Sequence, residues 1–235
     1  MTQGLFTQPM AADFVRCHLM NPEEFFTPYP IPSTAVNDPK FINMDQNSEY
    51  CSWAGPSQGL TLQRCVKALE NYGFYVEIGR IGEKLLNRIG REPVRFPVQF
   101  NPLTGEPLGS GSYGPMILAT MEYLTRMYGV YVYRDAVVWN GLPGSDLEYK
   151  QTWHQKEYRL VHRDGRVSGF LNGNKLFEVP AGLRVETDYE GNVKRIAGLA
   201  PQKVSGPLLL GKTVVAEFTI DPNQACSFSE ISKSR

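Results

Sequence analysis

The chain has 235 residues, with 24 Lys and Arg balanced by 24 Asp and Glu. Hydrophobic residues make up 42%, enough for a packed core in one large domain or two small ones. The balanced charge, with no basic run and no acidic tail, argues against nucleic acid as a partner and against a disordered tail. No apolar run approaches the ~20 residues needed to cross a bilayer, so no membrane partner is expected. No signal peptide is read at the N-terminus, and the expected location is cytoplasmic.

Residues 11–20 read as a short helix ended by Asn21-Pro22. Residues 21–56 carry six prolines and few periodic apolar positions, so they read as a long loop. Phe25, Phe26, Tyr29, Ile31 and Trp53 argue that this loop is ordered. Leu62, Val66, Leu69 and Tyr72 give a helix over 57–72, stopped by Gly73. Phe74, Ile78, Ile81, Leu85 and Ile89 give a second over 74–89, stopped by Gly90. The joint is short, so the pair should pack antiparallel. A further helix is expected over 113–128.

The pattern changes after Gly129. Short apolar runs follow, punctuated by Asp164-Gly165 and Asn172-Gly173, which are strong hairpin signals. This part is expected to be an antiparallel β-sandwich or meander. The boundary is set in the Gly/Pro-rich stretch Asn140–Ser145, giving an α-helical domain over 1–140 and a β-rich domain over 141–235. Cys17, Cys51, Cys65 and Cys226 show no CxxC spacing and read as buried free thiols. His18, His154 and His162 do not cluster, so neither a metal nor a cofactor is expected.

Two stretches carry candidate chemistry. One is Ser52-Trp-Ala-Gly-Pro-Ser57; the other is Phe96-Pro-Val-Gln-Phe-Asn-Pro-Leu-Thr-Gly-Glu-Pro107. With Phe26-Thr-Pro-Tyr-Pro-Ile-Pro-Ser33 upstream and Ser112-Tyr-Gly-Pro115 downstream, they resemble the sugar-site loops of (α/α)6-barrel, six-hairpin glycoside hydrolases. That group contains trehalases and processing α-glucosidases. The order of the four motifs, with a helical hairpin among them, carries the resemblance over about half of the chain.

The resemblance implies an α+β chain: helical hairpins of a partial (α/α) barrel, followed by the β-rich domain. It implies a carbohydrate ligand and, if the chain is active, hydrolysis of an α-linked glycoside with inversion. Such hydrolysis needs two carboxylates, one as acid and one as base, ~6.5–9.5 Å apart. The family's base position falls on Val98, which cannot accept a proton. Glu106 is then the candidate base, ahead of Glu92, and the candidate acid is Asp38, Asp45 or a residue from another chain. Substrate contacts are expected from Trp53, Gly55, Gln99, Asn101 and Tyr113. Trp53 reads equally as a stacking platform for a pyranose ring or as a plug of the helical core. Gln99 can bond a sugar hydroxyl, and Asn101 reads as a turn former before Pro102.

The alternative is a non-catalytic carbohydrate-binding or scaffold protein without the acid and base. The chain reads as the C-terminal half of a barrel. Half a barrel leaves an apolar helical face open, to be covered by a second copy or by a partner chain.

Overall fold

A computed structural model of the chain describes residues 1, 4–42, 55–91, 95–108 and 112–232. The chain divides into two units, Met1–Tyr123 and Leu124–Arg235.

In the first unit, α1 (Gln8–Phe14) starts at Thr7, whose side chain accepts from the Met10 amide, and continues as a π-helical turn, Val15–Leu19. The long helices α2 (Gly59–Asn71) and α3 (Tyr75–Ile89) follow. Their joint is tight because Gly73 sits at φ +76°, a left-handed position that closes the C-terminus of α2. Gly73 N–H donates to the Glu70 carbonyl and Phe74 N–H to that of Leu69. Leu62, Val66 and Leu69 of α2 meet Ile78, Ile81 and Leu85 of α3 in one buried cluster. α4 (Gly114–Tyr128) adds Met116, Ala119 and Tyr123 to it. Each large apolar side chain of this kind, fully buried, stabilises the fold by about 1.5–3 kcal/mol. The opposite face of α4 leaves Leu118 and Met121 exposed. Three short strands complete the unit: β1 (Ser57–Gln58), β2 (Gln99–Phe100) and β3 (Pro107–Leu108), antiparallel in that order.

The second unit begins with β4 (Val130–Tyr133) and β5 (Ala136–Gly141). A meander follows: β6 (Leu147–Trp153), β7 (Lys156–Arg163), β8 (Arg166–Leu171) and β9 (Asn174–Pro180). Then come β10 (Leu183–Thr187), β11 (Val193–Gly198), β12 (Val204–Leu210), β13 (Thr213–Ile220), β14 (Ala225–Ser227) and the short α5 (Phe228–Ile231). The strands form a five-stranded sheet, β14-β11-β10-β5-β4, and a six-stranded sheet, β13-β12-β9-β8-β7-β6. Trp139, Val185 and Ile196 of the first share one core with Tyr158, Val167, Phe177 and Phe218 of the second.

The expected partial barrel of helical hairpins is overturned. The described residues hold five α-helices against fourteen strands in three antiparallel sheets, and a single helical hairpin, α2–α3. The 3.6-residue apolar period reports that a helix has a buried face, and says nothing of what covers that face. Here α4 and the buried side chains Val15, Leu19, Ile31 and Phe100 cover it, where a barrel would need further hairpins. The thiols also differ from expectation. Cys17 is exposed, while Cys65 and Cys226 are partly covered. Burial pushes the Cys65 thiol up to about 12, against a smaller opposing hydrogen bond with Tyr123. Cys51 lies outside the described residues.

His162, on β7, is buried, and its Nε2 has no partner among the described residues. Burial pushes its pKa below 6.5, outweighing the backbone groups of Tyr128 and Asn140 that favour the charged ring. The unfolded chain therefore binds the proton more readily than the folded one. This contribution to stability is complete above pH 6.5 and is lost as pH falls from there through the folded pKa. Thermal melts between about pH 7.5 and 5 should show a falling midpoint, and His162→Leu should flatten that fall. Parallel slopes for the two proteins would show that His162 is not the titrating group.

Candidate functional site

The Gly-Pro element and the Asn-Pro-x-Thr-Gly loop meet in the small sheet of the first unit. Ser57 pairs with Phe100 and Gln58 with Gln99, and β2 in turn pairs with β3 through Gln99–Leu108 and Phe100–Pro107. The Phe26–Ser33 stretch is sewn onto the same sheet. Ser33 N–H donates to the Gly55 carbonyl at 3.0 Å, and Ser33 Oγ to that of Pro56 at 2.9 Å. Gln58 Nε2 donates to Ser33 Oγ at 2.6 Å, and Ser57 Oγ to the Tyr29 carbonyl at 2.7 Å. The Lys84 amine, from α3, donates to the Phe26 and Thr27 carbonyls and lies 3.8 Å from the centre of the Phe26 ring. Burial, then Arg80, holds this amine below its ordinary pKa.

The turn between β2 and β3 is built by Asn101. Its Oδ1 accepts from Leu103 N–H at 2.9 Å and Thr104 N–H at 3.2 Å, and its carbonyl from Gly105 N–H at 2.8 Å. Asn101 N–H donates to the Glu106 carbonyl at 2.9 Å. Asn101 is thus engaged with its own turn. Gln99 is buried in the strand, and Val98 beside it is half-buried. Gly55 is buried, and a Cβ there would sit 2.0 Å from the Ile42 carbonyl oxygen, so only glycine fits this approach. Tyr113 opens α4: its N–H donates to the Phe96 carbonyl at 2.7 Å, and its carbonyl accepts from Met116 N–H. Trp53, Asp45 and Glu92 lie outside the described residues. Asp38 is exposed, and its carboxylate accepts from Lys40 N–H at 2.7 Å in a turn.

Glu106 is exposed and lines a cleft of about 290 Å³ with Arg88, Arg91, Arg95, Thr104, Gly105 and Pro107. Arg88 is buried. Burial, and next the neighbouring Arg91, hold its guanidinium below the ordinary arginine pKa; Tyr29 opposes this and Arg95 adds to it. Arg91 donates to the Tyr29 hydroxyl and lies 4.6 Å from the centre of that ring. Sequence reasoning passes over these arginines. Their i, i+3, i+7 spacing is visible, but Gly90 and Pro93 break any helix that would align them. Among the described residues no group of three His, Cys, Asp or Glu comes together to hold a metal ion.

No protein-family model and no curated protein matches the chain. Among solved structures it is similar to a GH63 mannosylglycerate hydrolase from Thermus thermophilus, in complex with glucose. The identity is 22% and the TM-score 0.42, over 53% of this chain and 29% of that one. It is similar in the same measure to an uncharacterized conserved protein from Thermus thermophilus, with 22% identity, a TM-score of 0.42 and the same coverage. The chain thus spans less than a third of the length of either structure.

Proposed function

We propose that the chain is glycoside-hydrolase-like, and that the surface around β1–β3 takes part in holding an α-linked glycoside. One observation carries the reading. The stretches around Gly55 and around Asn101, singled out in the sequence and far apart in it, are adjacent hydrogen-bonded strands. Motifs that serve one ligand must share one place, and these do.

In the hydrolytic form of this reading, Glu106 activates water as the base. Among the described residues it is the one carboxylate on the cleft beside the turn. Purified protein should then release sugar from one member of a panel of α-glucosides, α-mannosides and trehalose. Glu106→Gln should lower that rate by about 10²–10⁴-fold, the range for loss of general base catalysis. Val98, half-buried where the resemblance puts the base, favours a second reading: binding without hydrolysis. Calorimetry with oligosaccharides separates the two, because binding without sugar release supports the second. The absence of both binding and sugar release would remove the carbohydrate reading altogether.

A further inference from the structure

We propose that the cleft under the Asn101–Glu106 turn is a binding site for a compact oxyanion carrying two negative charges, of which inorganic phosphate is the simplest. The proposal does not depend on the glycoside reading. It rests on three guanidinium groups that converge where the described residues supply a single acid.

Among the described residues, Arg88, Arg91 and Arg95 give three positive charges and Glu106 one negative, leaving two in excess on the cleft wall. Composition does not force this, since the chain as a whole is neutral at 24 against 24. Arg88 is 4% exposed, and its Nε has no partner among the described residues. A buried cation normally comes with its counter-charge, because taking it out of water unpaired is costly. The second unit follows that rule: buried Arg184 has Nε 3.0 Å from a Glu186 carboxylate oxygen. Arg88 departs from it, and a bound anion would supply what is missing.

The cleft is also pre-organised. Arg91 is held by the Tyr29 hydroxyl and by the face of that ring, and its Nη1 reaches the Thr104 carbonyl at 3.5 Å. A planar guanidinium fixed in this way suits bidentate recognition of phosphate or carboxylate. Gly105, at φ +76°, keeps the wall open. A Cβ there would lie 2.9 Å from the Tyr29 ring and 3.0 Å from Arg88 Cδ. The position of Arg88 in the last turn of α3 offers a plainer account, since cations are favourable at helix C-termini. That accounts for one arginine. It does not account for the orphan Nε or for Arg95 arriving from beyond the helix.

The test is titration of the full chain by calorimetry at low ionic strength, with inorganic phosphate, a hexose phosphate and acetate in separate arms. Phosphate should bind and acetate should bind more weakly. The hexose phosphate arm separates a free anion from a phosphate monoester as the occupant. Arg95→Gln, an exposed change that keeps the buried packing, should weaken phosphate by about tenfold, the worth of one charge-assisted hydrogen bond. Glu106→Gln removes the opposing charge and should tighten phosphate by about threefold. A purely structural arginine cluster would not respond in opposite directions to these two changes. No phosphate binding, or binding indifferent to both substitutions, overturns the proposal. Sugar release in the α-glycoside panel is read separately, so the two proposals fail independently.

Discussion

Trp139→Ala should destabilise the second unit by about 3–5 kcal/mol, the usual cost of emptying a large aromatic site in a core. Trp139 is 1% exposed, and it packs edge-on to Phe177 at 5.6 Å and tilted against Tyr158 at 5.9 Å. It stands on the five-stranded sheet and those two rings on the six-stranded one, so one side chain ties both sheets to the shared core. Its Nε1 donates to Thr187 Oγ1 at 3.1 Å, and Thr187 is fully buried. Removing the indole therefore leaves both a cavity and a buried hydroxyl without its donor. Trp139→Phe separates these effects, because it restores most of the volume and leaves only the hydroxyl, at about 1–3 kcal/mol. Urea unfolding followed by circular dichroism should rank wild type above Phe and Phe above Ala. Since domains are stable by only about 5–15 kcal/mol, the alanine variant should lie near the edge of folding. An alanine variant within about 1 kcal/mol of wild type, the size of an ordinary point-mutant effect, would mean that the sheets are not coupled through this side chain.

How much of this is legible depends on whether a local rule governs each element. Gly73 announces the end of α2, because glycine alone takes the left-handed conformation there cheaply. Gly90 marks the end of α3 by its poor helix propensity rather than by any special conformation, since its φ is −71°. Asp164-Gly165 and Asn172-Gly173 mark their hairpins, and both residues of each pair have positive φ. The β6–β7 turn makes the same conformation with His154 and Gln155, at φ 47° and 62°, and neither residue announces it. β6 itself is hard to read because Glu148, Lys150 and Gln151 mask the alternation. It is an edge strand, where such polar residues guard against further pairing. β12 is hard to read because Pro207 normally argues against a strand. The candidate site divides the same way. Gly55 and Asn101 stand out because each does a job only its residue type does well. The arginine cleft does not, because the chain past Gly90 must bring Arg95 back to Arg88, and nothing in the spacing foretells that.

Gly59→Ala offers the sharpest test of how the small sheet is held. Glycine in a helix usually costs about 0.5–1 kcal/mol relative to alanine, so propensity alone predicts a gain. The packing predicts the reverse. A Cβ at Gly59 would lie 2.4 Å from the Met116 nitrogen and 2.4 Å from the Pro115 carbonyl carbon. These are backbone atoms at the start of α4, and they cannot swing aside as a flexible side chain would. Overpacking against a fixed neighbour costs about 1–3 kcal/mol, so the clash outweighs the gain and the variant should be less stable than wild type. The consequence reaches the site, because Gly59 follows Gln58 directly and any shift of α2 displaces the β1 residues that pair with Gln99 and Phe100. Proton exchange should therefore rise at the β1–β2 amides in this variant, alongside a lower unfolding midpoint. If Gly59→Ala is neutral or stabilising, the close approach of α2 and α4 is not what sets the sheet.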